Sequence, residues 1–275
     1  MSRFKRSLEL AKASWHMILN DRSLLVYPIV SGIGVAILTA LIFLPLAAMG
    51  LFSSGSDTSF SLPQIAALLV LYFAAYSVII FCNSALIYVV MNRLNGTPAP
   101  MSGWAFARSR IRPILGFALI SATVGVILNV ISERFEGAGK IIGGAAWSLA
   151  TFLVVPVLVV EGIGPVDALR RSASLLKKTW GEQVIGSAGI GLVSGIAILI
   201  VAALGGGLIF LAALTGLTVL IVLAVGIAIL ALALMIVIST AMDTIYRAAV
   251  YRYVNNQPLT NYQAADIIPA SFTVK

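Results

Sequence analysis

Apolar residues in this chain form long, nearly unbroken blocks separated by short polar stretches. They follow neither the alternation of a half-buried strand nor the one-sided stripe of a soluble helix. Six blocks match the ~20 residues a helix needs to cross roughly 30 Å of hydrocarbon. They cover about Leu24–Phe52, Leu62–Met91, Pro113–Ser132, Ile141–Val160, Val184–Leu204 and Leu217–Tyr246. A helix satisfies its backbone polar groups internally, whereas barrel strands would alternate apolar and polar residues. The pattern therefore predicts an all-α polytopic membrane protein with six transmembrane helices, forming a single membrane domain over 1–275. Capping residues Asn20, Asp21 and Ser23 precede the first block; SSGSDTS and NGTPAPMSG separate later ones, and residues 255–275 form a polar tail.

Three segments between the blocks carry a helical stripe of apolar residues beside charged ones. In residues 164–180, Val166, Leu169, Ala173, Leu176 and Trp180 share one narrow face, and Arg170, Arg171, Ser174, Lys177 and Lys178 the neighbouring one. Pro165 suits a first helical position and Gly181 the residue after the last. In residues 1–20, Phe4, Leu8, Ala11, Trp15 and Ile18 recur at helical spacing, with Lys5, Arg6, Glu9 and Lys12 off that stripe. GWAFARSRIRP is a shorter third candidate, with Pro113 expected to end it. All three read as interfacial amphipathic helices on the cytoplasmic surface. Two features predict irregular geometry. GGG at 205–207 followed by LIFLAALTG is too short to span, and reads as a turn with a short half-helix. A continuous helix from Leu217 to Val254 would be roughly 57 Å long, so it must tilt, break near Gly226 or project beyond the hydrocarbon.

Composition agrees with this class: 60% of the 275 residues are apolar, 10% are charged, and mean hydropathy is +1.04. The net charge of +8 would suit nucleic acid in a soluble protein, but here its distribution explains it. Lys and Arg number five before the first block, four after the second (Arg93, Arg108, Arg110, Arg112), four after the fourth and three at the C-terminal end. The opposite side has two, Arg134 and Lys140. The positive-inside rule then places both termini in the cytoplasm of an inner or plasma membrane. Nucleic acid is not needed as a partner. The partners expected are membrane lipids, with Arg170, Arg171, Lys177, Lys178 and Trp180 meeting anionic headgroups. The basic start and long first block argue against a cleaved leader, with PLAAMG left as a cleavage option.

Candidate chemistry is sparse. One histidine, His16, and one cysteine, Cys82, cannot assemble a Cys/His metal cluster or a disulfide. No HExxH, GxSxG or Walker A motif occurs, so no catalytic residue, metal or cofactor is expected. GIGLVSG (189–195) lies inside an apolar block rather than between a strand and a helix, so Gly191 and Gly195 read as a small-residue helix contact, within or between subunits. The polar residues within or near the spans are Asn83, Asn129, Glu161, Asp243 and Arg247. Asp243 and Arg247, four apart, can pair; Glu161 can meet Arg170, Arg171 or the turn near Pro165; Asn83 reads as an interhelical hydrogen bond or as a pore contact.

The segment EGIGPVDALRRSASLLKKTWGE resembles a pattern that recurs before a transmembrane span in several prokaryotic polytopic families. Among these is the membrane domain attached to some glycerophosphodiester phosphodiesterases. SW-x4-ND-x-SLLVYP and the six-block arrangement resemble an uncharacterised family of small prokaryotic integral membrane proteins. These resemblances imply a helical membrane-embedded fold with a connection to lipid or envelope biology, and they transfer no functional residue. The leading expectation is a non-enzymatic, lipid-interacting, membrane-organising protein that self-associates as a homo-oligomer through its Gly-rich spans. A channel or transporter for a small solute or lipid, with Asn83 and Asn129 lining the route, is the alternative, and an intramembrane enzyme comes third.

Overall fold

In a computed structural model, residues 3–48, 62–97, 99–134, 138–179 and 184–257 are described. The elements are α1 (Arg3–Asn20), a 3-10 turn at Arg22–Leu25, α2 (Val26–Ala48), α3 (Leu62–Asn95), α4 (Gly103–Ser109) and α5 (Ile111–Arg134). They continue with α6 (Ala138–Thr151), α7 (Val154–Val160), α8 (Pro165–Thr179), α9 (Val184–Leu214) and α10 (Thr218–Val254). The chain divides into two units, residues 26–178 and residues 1–25 with 179–275.

In the 26–178 unit, α3 is the central helix, with α2, α4, α5 and α7 packed on it, while α6 packs on α5 and α7. The second half of α3 is the most deeply buried part: Ala85, Leu86, Ile87, Val90 and Leu94 are each 1% exposed or less. From α5, Ile114, Phe117, Ala118 and Ala122 are buried, and from α7, Val154, Val157 and Leu158. The outer faces remain apolar. On α2, Ile33, Ile37, Leu41 and Leu44 point out, and on α5, Leu115, Leu119 and Ile127.

In the other unit, α9 and α10 form a long hairpin and α1 packs against both. Leu204, Leu214, Val219 and Leu230 are each 69–71% exposed. Keeping such side chains in water would forgo roughly 1.5–3 kcal/mol apiece, so this surface is suited to lipid. Among the described residues, five helical stretches are long and apolar enough to cross a membrane: Arg22–Ala48, Leu62–Asn95, Ile111–Leu128, Ser194–Leu214 and Thr218–Val254. The protein is an integral membrane protein, and its described elements are all helical.

Several expectations are corrected. The expected fourth span, 141–160, is two helices separated at Phe152 and Leu153. Pro156 lacks the N–H that would bond back to Phe152, and its ring crowds that carbonyl. The Thr151 hydroxyl donates back to the Trp147 carbonyl at 2.8 Å, which also favours a bend. The GGG segment makes no turn. α9 runs through it to Leu214, and the hairpin turns at Thr215 and Gly216, where Gly216 takes φ +68°. Gly205 instead faces α10, where an added Cβ would lie 3.0 Å from that of Ala228. Small residues there let two apolar helices approach closely. α10 does not break at Gly226; it is continuous over 37 residues. Pro113 does not end the helix before it. Arg110 is the break, and Pro113 sits in the first turn of α5, where its missing N–H costs little.

The two longer amphipathic segments bury faces rotated from those expected. On the part of α1 whose side chains are described, the buried residues are Leu10, Ala11, Ala13, Ser14, Met17 and Ile18, while Trp15 is 37% exposed; the side chains of Phe4 and Leu8 lie outside the described residues. On α8 they are Ala168, Ser172, Leu175 and Leu176, while Val166 and Ala173 are exposed. Ala168, Ser172 and Leu175 share one helical face, and that protein-packed face includes the polar Ser172, which an apolar stripe leaves out.

Candidate functional site

The basic end of the 26–178 unit is built from three short pieces of chain. The first is α4, which is held on α3 by aromatic rings. Trp104 lies 4.6 Å from Tyr27 and 6.2 Å from Phe81 between ring centroids, and Phe106 stacks on Tyr88 at 4.1 Å with a 9° interplanar angle. At Gly103 the backbone comes so near that an added Cβ would sit 2.6 Å from the Ala85 carbonyl oxygen. The Ser102 hydroxyl caps the helix, accepting from the Ala105 N–H at 3.2 Å. Thus α4 is locked to the bundle rather than lying free.

The second piece is the junction of α4 and α5, which carries Arg108, Arg110 and Arg112. Arg110 is half-buried, and its guanidinium lies 6.0 Å from the centre of the Phe106 ring. Arg108 and Arg112 are exposed.

The third piece is the turn from α7 into α8. Gly162 takes φ +66°, which glycine adopts without the Cβ penalty. A side chain there would also meet Arg110, whose Nη1 lies 2.6 Å from the Cβ position. Pro165 starts α8 and presses on α5, where a Cβ at Gly116 would be 2.9 Å from the proline ring. Two bonds then tie α8 back to the chain. The Leu153 N–H at the α6/α7 break donates to the buried Ser172 hydroxyl at 3.1 Å. Arg171 Nε donates to Glu161 Oε1 at 3.1 Å. Between the second and third pieces lies a recess of about 550 Å³ lined by residues 109–113 and 162–165.

The expected headgroup residues thus divide. Arg171 is partly buried and paired with Glu161, whereas Arg170 and Lys177 face outward, Arg170 beside Asp167 at 3.7 Å. The Lys178 side chain and Trp180 lie outside the described residues. Of the intramembrane polar residues, Asp243 and Arg247 form the expected pair at 2.7 Å. Asn83 is half-buried on α3 between buried Cys82 and Ser84, and the Asn129 side chain lies outside the described residues. So does the surround of Gly191; at Gly195 an added Cβ would meet nothing within 4 Å. Among the described residues, no group of three or more His, Cys, Asp or Glu comes together. Sequence reasoning missed Arg110 and Arg112 as site candidates. They were counted as orientation signals, and no local pattern shows that residues 162–165 come to face them.

A family pattern covers this architecture from α3 to the end of α10, matching residues 62–259. The chain belongs to DUF6159, a family of unknown function. No curated protein and no solved structure matches it. The matched segment contains α4, the Arg110 junction, the Gly162 turn and α8, so the whole basic end lies inside the DUF6159 region.

Proposed function

We propose that the protein is a non-enzymatic, lipid-engaging protein of an inner or plasma membrane that organises the bilayer around it. The observation that carries this reading is the way lipid-suited surface ends in outward-facing cations. Along α5 the exposed Leu115 and Leu119 follow directly on exposed Arg112, and α8 presents Arg170 and Lys177 opposite its buried face. Cations at that level would meet headgroup phosphates, and each contributes about 1 kcal/mol toward an anionic leaflet.

In this reading α6 and α7 together make the sixth crossing as a broken helix. The break fits such a place because Leu153 is fully buried and its N–H is bonded to Ser172. An even number of crossings then puts both termini on the cation-rich, cytoplasmic side. Self-association through α9 completes the reading, with Gly191 and Gly195 at the contact. The open surface at Gly195 leaves room for a second copy.

The test is the lipid that copurifies with the full-length protein from a mixed phosphatidylglycerol and phosphatidylcholine membrane. Replacing Arg170, Arg171, Lys177 and Lys178 together with Gln should lower phosphatidylglycerol enrichment while leaving helicity intact. Equal enrichment would remove the lipid-engaging role of α8. Solute flux into liposomes above that of empty vesicles, abolished by Asn83→Leu, would replace the reading with a channel.

A further inference from the structure

The recess at the basic end has an unusual charge balance. Both charged side chains that line it are cationic, Arg110 and Arg112. Of the carboxylates nearest in sequence, Glu161 is bonded by Arg171, while Asp167 is exposed, 3.7 Å from Arg170, with its Oδ2 4.0 Å from the Cβ position of Gly164 at the recess wall. Among the described residues, no carboxylate lies within ion-pair distance of Arg110 or Arg112, and no hydrogen bond ties either guanidinium to the 162–165 turn. A half-buried guanidinium held over Phe106 and Gly162 has lost part of its water without gaining an anion.

Size and position narrow the chemistry of what would complete it. The volume of about 550 Å³ suits a small polar group and its substituent rather than a bare monatomic ion. A guanidinium presents a planar fork of donors that matches the oxygens of a phosphate. Pro165 brings the positive end of the 15-residue α8 to the same wall, where Asp167 in its first turn offsets part of that field and the two arginines leave the balance positive. The recess opens where α5 begins, one turn before its exposed apolar face at Leu115 and Leu119. With the apolar stretch Ile111–Leu128 as a span, the recess would lie at headgroup depth.

We propose that this recess is a phosphoryl-anion site in which Arg110 and Arg112 hold a phosphate ester. The source argued from its position is the headgroup of an anionic phospholipid; a soluble phosphate would satisfy the same donors. The headgroup form rests on the lipid-engaging reading above, whereas the anion site does not. The site is distinct from the outward face of α8: it would keep a single lipid per chain, and the α8 cations would collect a loose annulus.

The experiment uses the full-length protein in detergent, loaded with phosphatidylglycerol and exchanged until the last lipid is released, with retention read by native mass spectrometry. Arg110→Gln and Arg112→Gln should each lower retention of the final lipid about tenfold or more, the scale of a lost charge-assisted bond. Arg110→Lys, which keeps the charge and loses the fork, should fall between. Arg170→Gln with Lys177→Gln should strip looser lipids and leave the last one. Arg112 is exposed, so its variant reports on the site even where Arg110→Gln disturbs folding. Retention that resists millimolar inorganic phosphate supports the headgroup as source, and displacement by phosphate supports a soluble ester. Unchanged retention in both Gln variants overturns the proposal. Loss in the α8 variant alone overturns it too, while leaving the lipid-engaging reading in place.

Discussion

Ser172→Ala tests how the break between α6 and α7 is held. The hydroxyl of Ser172, fully buried on α8, accepts the Leu153 N–H at 3.1 Å, and Leu153 is itself fully buried. Removing the acceptor leaves that N–H without it in a place water does not reach, which costs about 1–3 kcal/mol. Exchanging Ser for Ala inside a helix works the other way, by roughly 0.5 kcal/mol in favour of Ala. The net expectation is a loss of about 0.5–2.5 kcal/mol, or about 2–4 °C in melting temperature for each kcal/mol at this chain length. Ser174→Ala is the control. Its hydroxyl is exposed and only donates to the Arg171 carbonyl, so that change should be neutral or slightly stabilising. Thermal unfolding in detergent by circular dichroism would give the stabilities, and amide hydrogen exchange over residues 147–158 would show whether Leu153 alone loses protection. If Ser172→Ala melts with Ser174→Ala and exchange at Leu153 is unchanged, Ser172 does not hold the break.

Three further outcomes are expected. Gly103→Ala would place a Cβ 2.6 Å from the Ala85 carbonyl oxygen and 2.7 Å from the Tyr27 hydroxyl, overpacking the α3–α4 contact by about 1–3 kcal/mol and shifting the Trp104 emission. Gly32→Ala, where nothing lies within 4 Å, should be neutral or stabilising in the same melt. For orientation, cysteines introduced at Ser56 and Ala138 should react with a membrane-impermeant thiol reagent added outside intact cells, and one at Ser174 should not; external labelling at Ser174 would invert the assigned topology.

Block length and composition by themselves determined that this is a helical membrane protein. Burial in hydrocarbon demands continuous apolar helices, and that demand is written residue by residue. The pairing of Asp243 with Arg247 was legible for the same reason, since a spacing of four on one helix is a local fact. Tertiary structure decided what depends on which surfaces meet. The Gly205 segment reads as a turn in isolation, yet it is helical and packs close against Ala228 of α10. Pro156 could have announced the interruption of the fourth block, but only the fold supplies Ser172 to satisfy the amide there. The buried faces of α1 and α8 are rotated from their apolar stripes because such a stripe leaves out polar residues such as Ser14 and Ser172, which the fold buries. Arg110 and Arg112 looked like topology signals, because nothing within 108–113 shows that a glycine turn 50 residues later closes over them. Local pattern sets which environment each stretch needs; long-range contact alone sets which side chains share it.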